Sequence, residues 1–291
     1  MKAFLTILLI FSSICYGKEI TSFTEIEKQA LSYAKKYGVD QTLVVLDIDN
    51  TVLTMPRQFG SDQWFSWQSK NCLGKTNNKS YCAASNFGEL LNVQGQLFAI
   101  STMVPTEKIT VKTIHNLQQR GFKVILLTSR GPEFRNSTEL QLSENGLNFA
   151  KTAIGPGQGY GGTYLPYKLN NLNRYGLNQS DAKRLNLKKP RPVSYMNGVY
   201  MTAGQNKGVM LRNLLAKTNT DFKAIVFADD HKKHITRMNQ AFEKLNYVEV
   251  MAFRYGAVDH LVKEFKTKPK LYSARGVKFL NSLKRTLNKT L

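Results

Sequence analysis

Residues 42–52 read TLVVLDIDNTV, a short run of apolar and β-branched residues that ends at the acidic pair Asp47 and Asp49. A continuous run of this kind is typical of a strand buried on both faces of a parallel sheet. Two carboxylates cannot both enter an apolar layer without a large desolvation cost, so they require a cation or a reacting group. Because side chains at i and i+2 of a strand share a face, we expect both carboxylates to converge on one site where the strand ends.

Strands and helices alternate on either side of this stretch. Ser22 and Glu25 form a capping-box pattern at the start of a helix that ends at Gly38. Apolar spacing and the flanking residues predict further helices and buried strands, the helices at 105–120, 204–217 and 231–245 and the strands at 122–127 and 224–228. This order predicts an α/β fold with a doubly wound, Rossmann-like parallel sheet. With 291 residues, the chain is long enough for one such core with an inserted cap.

Two stretches interrupt the alternation, at about residues 55–100 and 151–200. The first carries Trp64, Phe65 and Trp67 with a cysteine pair, and the second is rich in Gly, Tyr, Asn and Pro. We predict that both are cap insertions at the carboxyl ends of strands, where open α/β sheets bind their ligands. The aromatic residues of the first are expected to pack the small cap together, with stacking on an aromatic substrate as the alternative.

The first 17 residues, MKAFLTILLIFSSICYG, have the layout of a secretory signal peptide. Lys2 precedes a short apolar run, and small residues lead to the polar segment that starts at Lys18. A buried N-terminal element and a lipoprotein anchor on Cys15 are the alternatives. No other stretch approaches the roughly 20 apolar residues that a spanning helix needs, so the mature chain is predicted to be exported, periplasmic or secreted, without a transmembrane segment.

The two cysteines that follow the signal peptide, Cys72 and Cys82, are an even count in an oxidising compartment. We therefore predict a disulfide that closes the short loop between them. Two free buried thiols are the alternative. A zinc site is disfavoured, because no histidine lies within 30 residues of the pair.

The formal net charge of +21 belongs almost entirely to the mature chain, since the signal peptide carries only Lys2. Such a field attracts anions, whether phosphorylated small molecules, nucleic acid or acidic membrane surfaces. After a core of residues 18–262, the tail of residues 263–291 holds nine Lys or Arg against the single acid Glu264. Its periodic apolar residues predict a basic amphipathic helix, either solvated or bound to a polyanion or an anionic surface.

The string Asp47, Ile48, Asp49, Asn50, Thr51 resembles the first motif of the haloacid dehalogenase superfamily, Asp-x-Asp-x-Thr after a buried strand. The other three motifs of that superfamily follow in the same order, each beside a predicted strand end or helix start. They are Thr128 in LLTSR, Lys207 in QNKGVMLRNLL, and Asp229 with Asp230 in AIVFADD. The segment GSDQWFSW also resembles a little-characterised group of secreted bacterial members, and DIDNTV resembles the secreted acid phosphatases among them.

The resemblance implies an exported, Mg²⁺-dependent phosphohydrolase acting on a small phosphorylated substrate. Asp47 would attack phosphorus, becoming transiently phosphorylated, and would also bind the metal. Asp49 would act as general acid and then base, with its backbone carbonyl as a further metal ligand. Thr128 and Lys207 would hold phosphoryl oxygens where charge develops, and Asp229 would bind Mg²⁺ directly.

Three further residues are assigned supporting roles. Asp230 is expected to hold Lys207 or a metal-bound water, and Ser129 and Arg130 lie directly after the second motif. Arg130 either contacts the substrate or forms a structural salt bridge. Dehalogenases lack the second aspartate, so Asp49 favours a phosphatase. The alternatives are a phosphotransferase that uses an alcohol acceptor and a binding protein of the same fold that holds polyanions or surfaces.

Overall fold

The computed structural model describes residues 17–74, 79–156 and 158–290, so the predicted signal peptide lies outside the described residues except for Gly17. The strands are β1 Lys18–Ile20, β2 Thr42–Leu46, β3 Leu53–Thr54, β4 Val104–Pro105, β5 Lys123–Thr128, β6 Ser194–Met196, β7 Val199–Met201, β8 Ala224–Asp229 and β9 Glu249–Tyr255. The α-helices are α1 Phe23–Tyr37, α2 Asp62–Asn71, α3 Phe87–Ile100, α4 Thr110–Gln119, α5 Arg135–Glu144, α6 Gln179–Arg184, α7 Lys207–Thr218, α8 Lys232–Phe242, α9 Asp259–Thr267 and α10 Pro269–Thr290.

A mostly parallel sheet forms the centre of the described chain, with seven strands in the order β1, β9, β8, β2, β5, β7, β6. Within it the pair β6 and β7 is antiparallel. Strand β2 lies between β5 and β8, and Leu46 at its end pairs with Leu126 and Ala228. The carboxyl ends of these three strands therefore meet at one edge of the sheet. The predicted α/β fold with a Rossmann-like parallel sheet is confirmed.

Both faces of the sheet are covered by helices, which explains why β2 is buried throughout and apolar from Leu43 to Leu46. Val44 and Leu46 pack in one cluster with α1 and α4. Leu43 and Val45 point the other way, into a cluster with α7 and α8. Because successive side chains of a strand alternate between faces, a strand covered on both sides needs a continuous apolar run.

The first predicted insertion is a helical cap carried by the two-stranded ribbon of β3 and β4. Residues 55–103 lie between these strands and contain α2 and α3. The predicted disulfide between Cys72 and Cys82 is present. Trp64 and Leu97 are at the centre of the apolar cluster that holds the cap together.

The range 151–200 differs from its prediction. It contains β6 and β7, which extend the central sheet, and much of the remainder packs over the face covered by α7 through residues such as Tyr167 and Leu172. Asn197 and Gly198 connect β6 to β7, both with positive φ, as a tight hairpin requires. Strands of three residues are too short to stand out by periodicity, and the Asn-Gly pair was the usable signal.

The basic tail also differs from a free terminal helix. Its predicted start at residue 263 falls inside α9, and α10 follows after Lys268. Phe265 and Leu280 are buried in the same cluster as Trp64, so both helices are part of the cap. None of the helices in the described part of the chain combines the length and apolar character needed to cross a bilayer.

Candidate active site

Three motif residues meet at the carboxyl edge of the sheet. Asp47 follows β2, Asp229 ends β8, and Lys207 begins α7. The Nζ atom of Lys207 donates to Asp47 Oδ1 at 2.5 Å and to Asp229 Oδ2 at 2.6 Å. The Lys207 side chain is 1% exposed, so one buried ammonium is shared by two carboxylates.

The start of α7 fixes the position of that ammonium. Asn206 caps the helix by accepting hydrogen bonds from the backbone N–H groups of Gly208 and Val209. At Gly208 a Cβ atom would lie 2.5 Å from the carbonyl oxygen of Arg237 in α8. The glycine therefore allows α7 to approach α8 closely and brings Lys207 over the end of the sheet.

Burial and charge act in opposite directions in this group. Burial raises the pKa of the Asp47 carboxyl, and the nearby carboxylates of Asp229 and Asp49 add to the rise, while Lys207 opposes it. Burial lowers the pKa of Lys207, but Asp229 and Asp47 outweigh that effect and its pKa is raised. Lys207 therefore stays protonated across the physiological range, within an excess of acidic groups that favours an additional cation.

Asp49, the predicted general acid and base, is held by Arg130. Its Oδ2 atom accepts from Nε at 2.9 Å and its Oδ1 atom from Nη2 at 2.8 Å. The Nη1 atom of the guanidinium donates to Thr138 and Gln141 of α5, and the guanidinium centre lies 3.9 Å from the ring centroid of Phe98. Of the two roles proposed for Arg130, the structure contains the salt bridge.

The second motif places Ser129, rather than Thr128, at the cavity wall. Thr128 is fully buried, and its hydroxyl accepts a hydrogen bond from the backbone N–H of Arg130 at 3.1 Å. Ser129 is exposed and lines the cavity together with Asp47 and Asp49. The Thr128 hydroxyl thus shapes the turn after β5, and Ser129 is the motif hydroxyl that faces the cavity.

Asp230 does not hold Lys207, which was one of its two predicted roles, because that ammonium binds Asp47 and Asp229 instead. Its Oδ2 atom accepts from Asn50 Nδ2 at 3.4 Å. The Oδ1 atom is buried and has no hydrogen-bond partner among the described residues. One carboxylate oxygen from each of Asp47, Asp229 and Asp230 lies within 4.8 Å of the others. An oxygen-only set with an unsatisfied carboxylate fits the ligand preference of Mg²⁺.

One contact between the cap and the core was not predicted from the sequence. His231, directly after the acidic pair, has its Nε2 atom 2.9 Å from Asp62 Oδ2 at the start of α2. Burial lowers the pKa of His231, but the Asp62 carboxylate outweighs it and raises that pKa to about 9. At neutral pH the contact is therefore an ion pair. The two residues are 169 positions apart, and nothing local in either segment indicates the pairing.

A cavity of about 750 Å³ opens above Asp47, between the core and the cap. Its large apolar side chains come from α2, α3 and the turn after β5, and they are Phe65, Phe87, Leu91, Phe98 and Phe134. Trp64 is instead fully buried beside Phe59, and Trp67 packs against Tyr81 and Phe265. Of the three aromatic residues singled out in the sequence, Phe65 alone lines the cavity.

Residues 19–288 match the sequence model of a family described as "Protein of unknown function (DUF2608)". The chain belongs to this family. A comparison with curated proteins found no match. The DUF2608 match begins within β1 and ends within α10, so the sheet, the cap and the site above β2 all lie within the part of the chain that defines the family.

Proposed function

We propose that this protein is an exported, Mg²⁺-dependent phosphohydrolase of the haloacid dehalogenase type that acts on phosphomonoesters through a phosphorylated Asp47. The observation that carries the proposal is the Lys207 ammonium shared by Asp47 and Asp229 at the floor of a cavity that Asp49 also lines. These residues come from three separate segments of the chain. Export is supported by the disulfide, which is typical of oxidising compartments.

In the proposed reaction a carboxylate oxygen of Asp47 attacks phosphorus in line, and the bond from phosphorus to the leaving oxygen breaks. Asp49 gives a proton to that oxygen and later takes one from the water that attacks the phosphorylated Asp47, whose O–P bond then breaks to release phosphate. Each oxygen of Asp49 accepts one bond from Arg130 and keeps a lone pair for the proton. Lys207 offsets charge on the phosphoryl oxygens.

The residues that would hold Mg²⁺ are Asp47, Asp229 and Asp230, whose oxygens already cluster and include one without a hydrogen-bond partner in the described structure. Bound there, the ion would neutralise negative charge on the phosphoryl group. The carboxylate of Asp49 is engaged by Arg130, so a contribution from Asp49 to the metal would come from its backbone carbonyl.

A purely binding role explains the site less well. Burying three carboxylates and one ammonium together costs several kcal/mol per ion unless every charge is compensated. A protein that only binds polyanions does not need buried charges at the floor of a cavity, because exposed lysines on its surface would suffice. Hydrolysis and transfer to an alcohol share the first step, so only the acceptor separates them.

The test is phosphate release from p-nitrophenyl phosphate by the purified protein with Mg²⁺ and with EDTA. We expect Mg²⁺-dependent release that Asp47→Asn abolishes. Asp221→Asn, which changes an exposed aspartate outside the site, serves as the matched control and should retain activity. Adding glycerol separates transfer from hydrolysis, because transfer forms glycerol phosphate. Full activity of the Asp47 variant would contradict the proposal.

A further inference from the structure

The cap wall of the cavity is apolar and aromatic. Phe65 of α2 and Phe87 of α3 meet edge to face with ring centroids 6.2 Å apart. Deeper in, Phe98 and Phe134 make a second edge-to-face pair at 5.3 Å. Phe87 is 50% exposed, so its ring is partly available to a molecule in the cavity.

The polar groups of the cavity lie mainly on the opposite, core side. Asp47, Asp49 and Lys207 form the floor, below the cap. Of the described cap side chains that line the cavity, the one that carries charge, Asp62, is paired with His231. Further charged side chains of the lining belong to core segments, and they are Arg130, Glu133, Arg191, Asp230 and Lys233. A leaving group that extends from the floor toward the cap therefore meets mainly phenylalanine and leucine side chains.

The size of the cavity agrees with such a ligand. Pockets for small molecules usually measure about 300–1,000 Å³ and are lined mainly by apolar groups with a few polar ones that fix orientation. The cavity of about 750 Å³ lies within that range and contains both parts. A clustered apolar surface at the mouth of a polar floor indicates a binding role more strongly than single exposed apolar residues do.

We propose that the substrate is a phosphomonoester with an uncharged aromatic leaving group, which packs against Phe65, Phe87 and Leu91 while its phosphoryl group lies at Asp47. This inference rests on the proposed phosphatase activity and adds the substrate class. The aromatic wall excludes water from one face of the leaving group and gives edge-to-face contacts to its ring. Sugar and glycerol phosphates gain neither, because their hydroxyls would lose hydrogen bonds to water against this wall.

The experiment compares benzyl phosphate with glycerol 2-phosphate at saturating Mg²⁺. Both release an alcohol, so the acidity of the leaving group does not dominate the comparison. The matched variants are Phe87→Ala, in the cavity wall, and Phe279→Ala, a comparably exposed phenylalanine on α10 that does not line the cavity. Phe87 is at the surface end of α3, so its truncation leaves the buried cluster of the cap intact.

We expect kcat/KM for benzyl phosphate to exceed that for glycerol 2-phosphate by about tenfold or more, mainly through KM, as one or two aromatic contacts provide. Phe87→Ala should lower kcat/KM for benzyl phosphate more than that for glycerol 2-phosphate and so lose most of this preference, and Phe279→Ala should keep it. Equal kcat/KM for the two esters, or an unchanged preference in the Phe87 variant, overturns the inference about the substrate class but not the proposed function. No release from either ester by wild-type protein that hydrolyses p-nitrophenyl phosphate also overturns the inference alone, whereas no release from any of the three esters removes the proposed function as well.

Discussion

Arg130 binds both carboxylate oxygens of Asp49, with distances of 2.9 Å from Nε to Oδ2 and 2.8 Å from Nη2 to Oδ1. The guanidinium is itself fixed by Gln141 and by the face of Phe98. Its side chain is 3% exposed and that of Asp49 is 21% exposed, so the pair is largely shielded from water. The orientation of Asp49 over the cavity therefore depends on a residue of the neighbouring strand end.

Replacing Arg130 by Lys should lower kcat about tenfold to a hundredfold, because an ammonium cannot hold both oxygens in the planar arrangement of a guanidinium. KM should change much less, since the donors of the Arg130 guanidinium are already bonded to Asp49, Thr138 and Gln141. The measurement is steady-state kinetics, with thermal unfolding to identify the folded fraction. Arg120→Lys, at an exposed position, is the control. An unchanged kcat in a folded Arg130 variant would show that Asp49 needs no such partner.

Replacing Lys207 by Met should abolish activity and make stability depend on metal. Without the ammonium, the buried carboxylates of Asp47 and Asp229 lose their counter-charge, which costs about 3–5 kcal/mol of unfolding free energy in EDTA. Mg²⁺ should restore part of this loss, because an ion that binds only the folded state stabilises it. Denaturant unfolding with and without Mg²⁺ measures both effects, with the exposed Lys223→Met as control. A Lys207 variant with the same unfolding free energy as wild type in EDTA would contradict this prediction.

Removing the disulfide should loosen the cap more than the sheet. Cys72 and Cys82 close a loop of 10 residues in sequence separation beside α10. In the chain-entropy model a loop of this length contributes about 2–3 kcal/mol. In the double variant Cys72→Ser/Cys82→Ser, hydrogen exchange should accelerate in α2 and α3 and stay slow in β2. Uniform acceleration over both regions would mean that the cap does not open separately.

The packing of the tail and its charge should have separate effects. Truncation before α10 removes Leu280 from the cluster around Trp64, so it should lower the unfolding free energy of the cap. Neutralising the exposed Lys284 and Lys289 to Gln leaves that packing intact. This double variant should keep kcat while losing retention on heparin, with the difference fading as salt rises above about 0.1 M. Unchanged heparin retention would assign the charge effect to another surface.

The sequence predicted the centre of the fold better than its edges. Strands β2, β5 and β8 are buried on both faces, so each is a continuous apolar run that stands out locally. Strand β9 mixes apolar residues with Arg254 because it lies near the edge of the sheet, and it was missed. Strands β6 and β7 are too short to show a periodic pattern, and they are defined by their pairing with each other.

The same distinction applies to the site. Asp47, Lys207 and Asp229 lie at strand ends and a helix start, where the ordered motifs of the resemblance selected them. The pair of Asp62 and His231 exists only because the cap docks on the core, and docking leaves no local pattern. The apolar wall was missed for the same reason.

Trapping a phosphorylated Asp47 is the most direct test of the account. The Asp49→Asn variant should be used with Mg²⁺ and p-nitrophenyl phosphate labelled in the phosphoryl group, because that leaving group needs no proton whereas breakdown of the intermediate lacks its base. After acid quench and proteolysis, we predict one label per chain on the peptide that contains Asp47, released by hydroxylamine as an acyl phosphate is. The Asp47→Asn/Asp49→Asn double variant should carry none. Label on another residue, or phosphate release from the wild-type protein with no label on Asp47 in the Asp49 variant, would contradict the mechanism.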